Sequence, residues 1–143
     1  MTASDQSNTA ITCTLVPEDQ RMDITAALFS NHFPLQVEPF VYSITDNIAH
    51  EYNGGYWDFF TLSNGGFFMA PHADHQFNVS CENGFRGQMS ADALGITSCL
   101  YAYSNLSFSD NAGLSEVCTQ HFHLLREYAL DHPEAGNIFR AVD

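Results

Sequence analysis

Lysine is absent from the 143 residues, and only Arg21, Arg86, Arg126 and Arg140, isolated from one another, oppose 17 Asp and Glu, giving a formal net charge of -13. A phosphate backbone is held by clustered Lys and Arg that displace counterions, and an anionic bilayer by polybasic segments. Direct nucleic-acid binding and membrane attachment are therefore not expected. Cysteine is scarce too. Cys13, Cys81, Cys99 and Cys118 lie far apart with no C-x-x-C pair, which argues against a zinc module or a disulfide framework and for reduced, mostly buried thiols. Apolar runs such as Phe67 to Pro71 are much too short to span a bilayer. Met1 to Thr12 has neither a basic n-region nor an apolar h-region, so no secretion signal is read and a cytoplasmic protein is expected. There is no G-x-S-x-G, no cysteine at a helix start beside a basic group, and no carboxylate pair fixed on one face. The glycines at 54, 55, 65 and 66 are not followed by Lys, so they read as turns and not as a phosphate cradle. Neither a catalytic reaction nor a cofactor is expected.

What the chain does hold is 45% hydrophobic residues, with 12 Phe, 6 Tyr and 1 Trp. A chain of this size buries roughly two thirds of its unfolded surface, enough for one core. Residues 1–12 are polar and aperiodic and read as a flexible tail, with 13–143 as one domain. Pro17 with Glu18 and Asp19 reads as a helix start, and Met22, Ala26 and Phe29 as the stripe of that helix. A second helix is expected after Pro39, with Val41, Ile44 and Ile48 on one face, ending before Asn53-Gly54-Gly55. Tyr56 to Leu62 and Phe67 to Pro71 flank Ser63-Asn64-Gly65-Gly66, a strong hairpin signal. Phe77 to Cys81 is expected as the third strand of an antiparallel meander. Ser90 is a good N-cap for a helix carrying Ala93, Ile96, Thr97, Leu100 and Tyr101. A loop is expected over Ser104 to Gly113. A long helix from about Leu114 to Leu130 follows, and Pro133 and Glu134 open a short last helix. The class is α+β, with a small three-stranded antiparallel sheet and four to five helices.

Seven histidines raise the question of a metal. His72-Ala73-Asp74-His75 places three potential ligands within four residues, and a metal-dependent hydrolase built on His72, Asp74 and His75 is the alternative to a binding protein. The spacing fits no closed zinc module, and a polar loop that happens to carry histidine is the plainer reading. His121, on the apolar stripe of the long helix, reads as a core histidine. His123, about 200° around that helix, faces nearer solvent. A third possibility is a generic acidic module for a basic protein.

The charge can be weighed against DNA itself. A compact domain of this length is about 37 Å across, and a duplex of that length carries about 22 phosphates. Eight acids lie at or before Asp58 and nine at or after Asp74. Spread so evenly, they do not approach the charge density of a duplex on any one face, and close DNA mimicry is not expected.

The run Asn53-Gly-Gly-Tyr-Trp-Asp-Phe-Phe-Thr-Leu-Ser-Asn-Gly-Gly-Phe-Phe-Met-Ala-Pro71, then Asn83-Gly-Phe85, Leu94-Gly-Ile96 and Asp131-His-Pro-Glu-Ala-Gly-Asn-Ile-Phe-Arg-Ala-Val-Asp143, resembles the antirestriction proteins of the ArdB/KlcA family. The likeness runs in the same order from about residue 12 to the end, loosely over the first third. It implies a small cytoplasmic protein of plasmids and other mobile elements that protects incoming DNA by inhibiting host type I restriction-modification enzymes. It further implies a noncatalytic protein, with the restriction enzyme or its accessory machinery as partner. Within the matched segments, the polar residues expected on an interaction surface are Asp58, Asn64, Glu134, Arg140 and Asp143.

Overall fold

The computed structural model describes residues 10–143. β1 (Cys13–Leu15) leads through a 3-10 turn (Glu18–Gln20) into α1 (Arg21–Phe29), and a π-helical turn (Phe33–Val37) runs directly into α2 (Glu38–Ile48). Two hairpins follow, β2 (Trp57–Leu62) with β3 (Phe67–Pro71) and β4 (Phe77–Ser80) with β5 (Arg86–Met89). Three helices complete the chain: α3 (Ala91–Leu106), α4 (Ala112–Ala129) and α5 (Ala135–Val142). The α+β expectation holds, with a three-stranded and a two-stranded antiparallel sheet and five α-helices among the described residues.

The membership of that sheet differs from the expected meander. Its order is β1-β2-β3, with Cys13 opposite Leu62 and Leu15 opposite Phe60. The segment Phe77–Ser80 instead pairs with Arg86–Met89. The cause is local. Gly84 takes φ 96° and the Asn83 side chain accepts from the Phe85 amide at 2.9 Å, so this turn folds β4 back on the residues that follow it. The free edge of β2 is then filled by the N-terminal segment, where the Val16 amide donates to Phe59 at 2.8 Å. Residues 1–9 of the expected tail lie outside the described residues. Thr12 exchanges hydrogen bonds with Ser63, through its amide to Oγ and through its carbonyl from the Ser63 amide.

The fold is built around α3, which is buried on almost every side from Ala91 to Tyr103, as a helix apolar all round must be. It packs on β3, α2, α4 and α5. Gly95 makes the approach to β3 possible: a Cβ there would lie 2.3 Å from the Met69 carbonyl oxygen and 2.5 Å from the Ala70 Cβ. Its buried polar groups are paired. Tyr103 donates to the Phe67 carbonyl at 2.7 Å, and Thr45 donates to Ser98 at 2.7 Å. The helix continues to Leu106, so the expected loop from Ser104 shrinks to residues 107–111. The α4 stripe of Leu114, Cys118, His121 and Leu125 is buried as the spacing predicts. In α1 the stripe is displaced. Thr25 and Phe29 face the core, while Met22 is 84% exposed. Cys81, Cys99 and Cys118 are buried thiols and Cys13 is exposed. No helix among the described residues is long and apolar enough to cross a membrane.

Candidate functional site

The end of β3 and the start of α3 enclose a polar cleft of about 590 Å³, lined by Asp58, His72, Asp74, His75, Ser90 and Asp92 among others. Sheet register assembles one wall. Asp58 stands opposite Ala70 in the β2–β3 ladder, and the His72 amide extends that ladder by donating to Tyr56 at 2.8 Å. Asp58 and His72 are thus diagonal neighbours on one face, within reach of long side chains. The His72 Nδ1 lies 2.8 Å from Asp58 Oδ2, and the ring meets Tyr56 edge to face.

The opposite wall is the N-terminus of α3, and it is fastened from the far end of the chain. Ser90 caps the helix by accepting from the Ala93 amide at 3.1 Å. Glu134 binds Ser90 in turn: its carboxylate accepts from the Ser90 amide at 2.9 Å and from the Ser90 hydroxyl at 2.5 Å. A carboxylate at the positive end of a helix is favourably placed. The conformation that brings it there is set within Asp131-His-Pro-Glu, where His132 Nδ1 accepts from the Glu134 amide at 3.0 Å. Beside this clamp, partial desolvation raises the Asp92 carboxyl above its ordinary value; His132 opposes the shift, and Glu134 and Asp58 add to it. The cleft therefore presents carboxylate acceptors. The Ser90 hydroxyl donates to the Glu134 carboxylate and is part of the clamp at the helix start.

The residues expected from sequence disperse. Asp58 lines the cleft, and Glu134 lies next to it with its carboxylate turned onto Ser90. Asn64 sits at the β2–β3 turn, where its side chain accepts from the Gly66 amide and donates to the Leu124 carbonyl at 2.9 Å and to Glu127 at 3.0 Å. Arg140 is exposed on α5 and Asp143 just past its C-terminal end, with Arg140 donating to Asn137 at 2.5 Å. The His72, Asp74 and His75 set does not form a ligand cage. His72 is turned to Asp58, and His75 has Nδ1 3.1 Å from the Gln76 carbonyl and its ring packed on Phe77. Among the described residues no group of three His, Cys, Asp or Glu is placed to hold a metal ion. Ser90, Asp92 and His132 were not singled out as site residues. Only the N-cap expected at Ser90 marked part of this wall in the sequence.

Matched to known proteins, residues 50–143 fit the profile of a family described as antirestriction protein. The antirestriction protein KlcA of Escherichia coli is 38% identical over 136 residues, covering 93% of this chain and 95% of its own length. YafX of Escherichia coli K12, a protein without a characterised function, is 40% identical over 145 residues, covering 98% and 93%. A solved structure superposes with a TM-score of 0.86 at 37% identity, over 94% of this chain and 96% of its own. It belongs to a study of the KlcA and ArdB proteins, which show a novel fold and antirestriction activity against type I DNA restriction systems in vivo but not in vitro.

Proposed function

The chain belongs to the antirestriction protein family, and from that membership we propose that it protects incoming DNA by inhibiting type I restriction in the cell. The observation that carries this reading is the structural match, over 94% of this chain, to a protein of that activity. The related proteins act in vivo but not in vitro. That pattern favours a target within the cellular restriction machinery over simple blockade of the purified enzyme. The proposed mode is noncatalytic, cytoplasmic and without a cofactor.

Nor does the reading require a DNA copy. Acids occur on the 3-10 turn, α1, α2, β2, α3 and α4 and in the intervening loops, so the negative charge is not confined to one element. A duplex instead concentrates one charge per ~1.7 Å of axis. The test is the plating efficiency of unmodified phage on a type I restricting host, with and without soluble expression of the chain. Raised plating is the expected result, and unchanged plating at verified expression sinks the proposal. Purified protein added to purified endonuclease should leave cleavage unaffected.

A further inference from the structure

Three asparagines of the chain are followed directly by glycine: Asn53-Gly54, Asn64-Gly65 and Asn83-Gly84. In such a pair the glycine amide nitrogen can attack the carbonyl carbon of the asparagine side chain, since glycine has no Cβ to obstruct the approach. The attack closes a succinimide ring and expels the side-chain nitrogen as ammonia. Water then opens the ring, giving aspartate if it enters at one carbonyl and isoaspartate if it enters at the other. The reaction needs a side chain free to turn and a following amide free to attack, and a fold can withhold both.

Two of the three pairs are restrained in this way. At the β2–β3 turn the Gly65 amide donates to the Leu62 carbonyl at 2.9 Å, and the Asn64 side chain is fixed by Gly66, Leu124 and Glu127. At the second hairpin the Gly84 amide donates to the Cys81 carbonyl at 3.0 Å. The Asn83 side chain there accepts from the Phe85 amide and donates to the Arg140 and Ala141 carbonyls. In both turns the nucleophile and the electrophile are each committed elsewhere.

Asn53-Gly54 carries no such restraint. It lies between the end of α2 at Ile48 and the start of β2 at Trp57, and Asn53, Gly54 and Gly55 are all exposed. Among the described residues neither the Asn53 side chain nor the Gly54 amide enters a hydrogen bond. A Cβ placed on Gly54 or Gly55 would meet nothing within 4 Å, so a succinimide has open space around it. The two glycines take φ 94° and 103°, a region that other residues adopt only with strain. The linker geometry that calls for glycine after Asn53 therefore also builds the reactive pair.

We propose that Asn53 is a site of spontaneous deamidation in the folded protein, converted through a succinimide to aspartate or isoaspartate. The change adds one negative charge to the formal -13. As isoaspartate it also adds one methylene to the backbone between α2 and β2. That form presents a free α-carboxylate, the substrate of an isoaspartate-specific carboxyl methyltransferase, which moves a methyl group onto it from S-adenosylmethionine and releases S-adenosylhomocysteine. The proposal is independent of the antirestriction reading.

The test ages the purified full chain in mildly alkaline buffer, folded and in urea, and follows each Asn-Gly pair by peptide mapping that separates aspartate from isoaspartate. In the folded protein Asn53 should convert at least about tenfold faster than Asn64 and Asn83, where reaction waits on local opening. In urea the three pairs should convert at similar rates. Asn53→Gln, which would have to close a larger and less favoured ring, should keep the melting temperature while losing both the acidic charge variant and methyl acceptance from the methyltransferase. Equal rates at the three pairs in the folded protein overturn the proposal. So does an intact Asn53 in folded protein aged for as long as the unfolded chain needs to convert, or an undiminished charge variant in Asn53→Gln. If the folded ranking persists in urea, the selectivity does not come from the fold and the argument from its hydrogen bonds falls.

Discussion

His121 sets a pH dependence of stability that can be worked out in advance. Its side chain is 3% exposed, its ring is stacked 4.3 Å from that of Phe29, and its Nδ1 has no hydrogen-bond partner. Burial depresses its pKa from the ordinary 6.5 to about 4, against the opposing pull of the Leu28 carbonyl. The native state therefore holds this imidazole neutral where the unfolded chain would protonate it. At pH 7.5 neither state binds the proton and the group contributes nothing to the pH dependence. As pH falls through 6.5 the unfolded chain gains a proton that the native state refuses, and stability is lost until the native pKa is reached near 4. The span of about 2.5 units at ~1.36 kcal/mol each amounts to about 3 kcal/mol, most of it lost by pH 4.5. His121→Leu removes the titration and the orphaned nitrogen while keeping an apolar side chain of similar volume. Urea unfolding of both proteins at pH 7.5 and 4.5 should show wild type losing about 2 to 3 kcal/mol more than the variant over that interval. Titrating carboxylates such as Glu51 and Asp92 are common to both proteins and cancel in the difference. Parallel pH profiles for the two proteins would refute the buried, neutral histidine.

Other expectations concern the fastenings of α3. Gly95→Ala forces a Cβ to within 2.3 Å of the Met69 carbonyl oxygen, where backbone on both sides cannot yield cheaply, so thermal melting should show a loss of about 3 kcal/mol or more. Glu134→Ala removes the acceptor of both the Ser90 amide and hydroxyl and should cost about 2 to 3 kcal/mol in a urea titration. If Ser90 finds equivalent partners in water, the loss will be nearly absent and the clamp is not what positions α3. Arg140→Ala and Asp143→Asn alter exposed groups and should change stability by less than about 0.5 kcal/mol. A fall in phage plating with either variant, at unchanged stability, would mark the last helix as part of the antirestriction surface.

Elements announced by their own residues were legible in the sequence, and elements that depend on distant partners were not. The β2–β3 turn declared itself through Asn64-Gly65, and Gly65 does take φ 95°. Of the Val41, Ile44 and Ile48 face expected for α2, Val41 and Ile48 are buried, while Thr45 is the third buried position and Ile44 is half-buried; the α4 stripe followed from helical spacing. β1 left no such trace: it has three residues, all exposed, and its partners lie 45 to 49 positions away. β5, with the sequence Arg-Gly-Gln-Met, has little intrinsic strand preference and is a strand because the Asn83-Gly84 turn presents it to β4. The α1 stripe was misplaced because that helix carries apolar residues on two sides. Ile24, Leu28 and Phe29 serve the core, while Met22 and Ala26 are exposed.

The same distinction explains why polar residues in a matched motif make poor guides to a site. Asn64 and Glu134 read as surface groups because each stands in a polar turn, yet both are fasteners. Asn64 ties the hairpin to α4 across 60 residues, and Glu134 holds the start of α3 across 44. Asn83 does likewise, donating to the Arg140 and Ala141 carbonyls at 3.0 and 3.1 Å, while Tyr101 adds a bond to Ala141 at 2.5 Å. The Asn-Gly-Gly-Phe, Asn-Gly-Phe, Leu-Gly-Ile and Asp-His-Pro-Glu motifs on which the resemblance was read are in this sense one device. They lock β3, the second hairpin and α5 around α3. Motifs committed to holding the scaffold leave partner choice to surfaces they do not build.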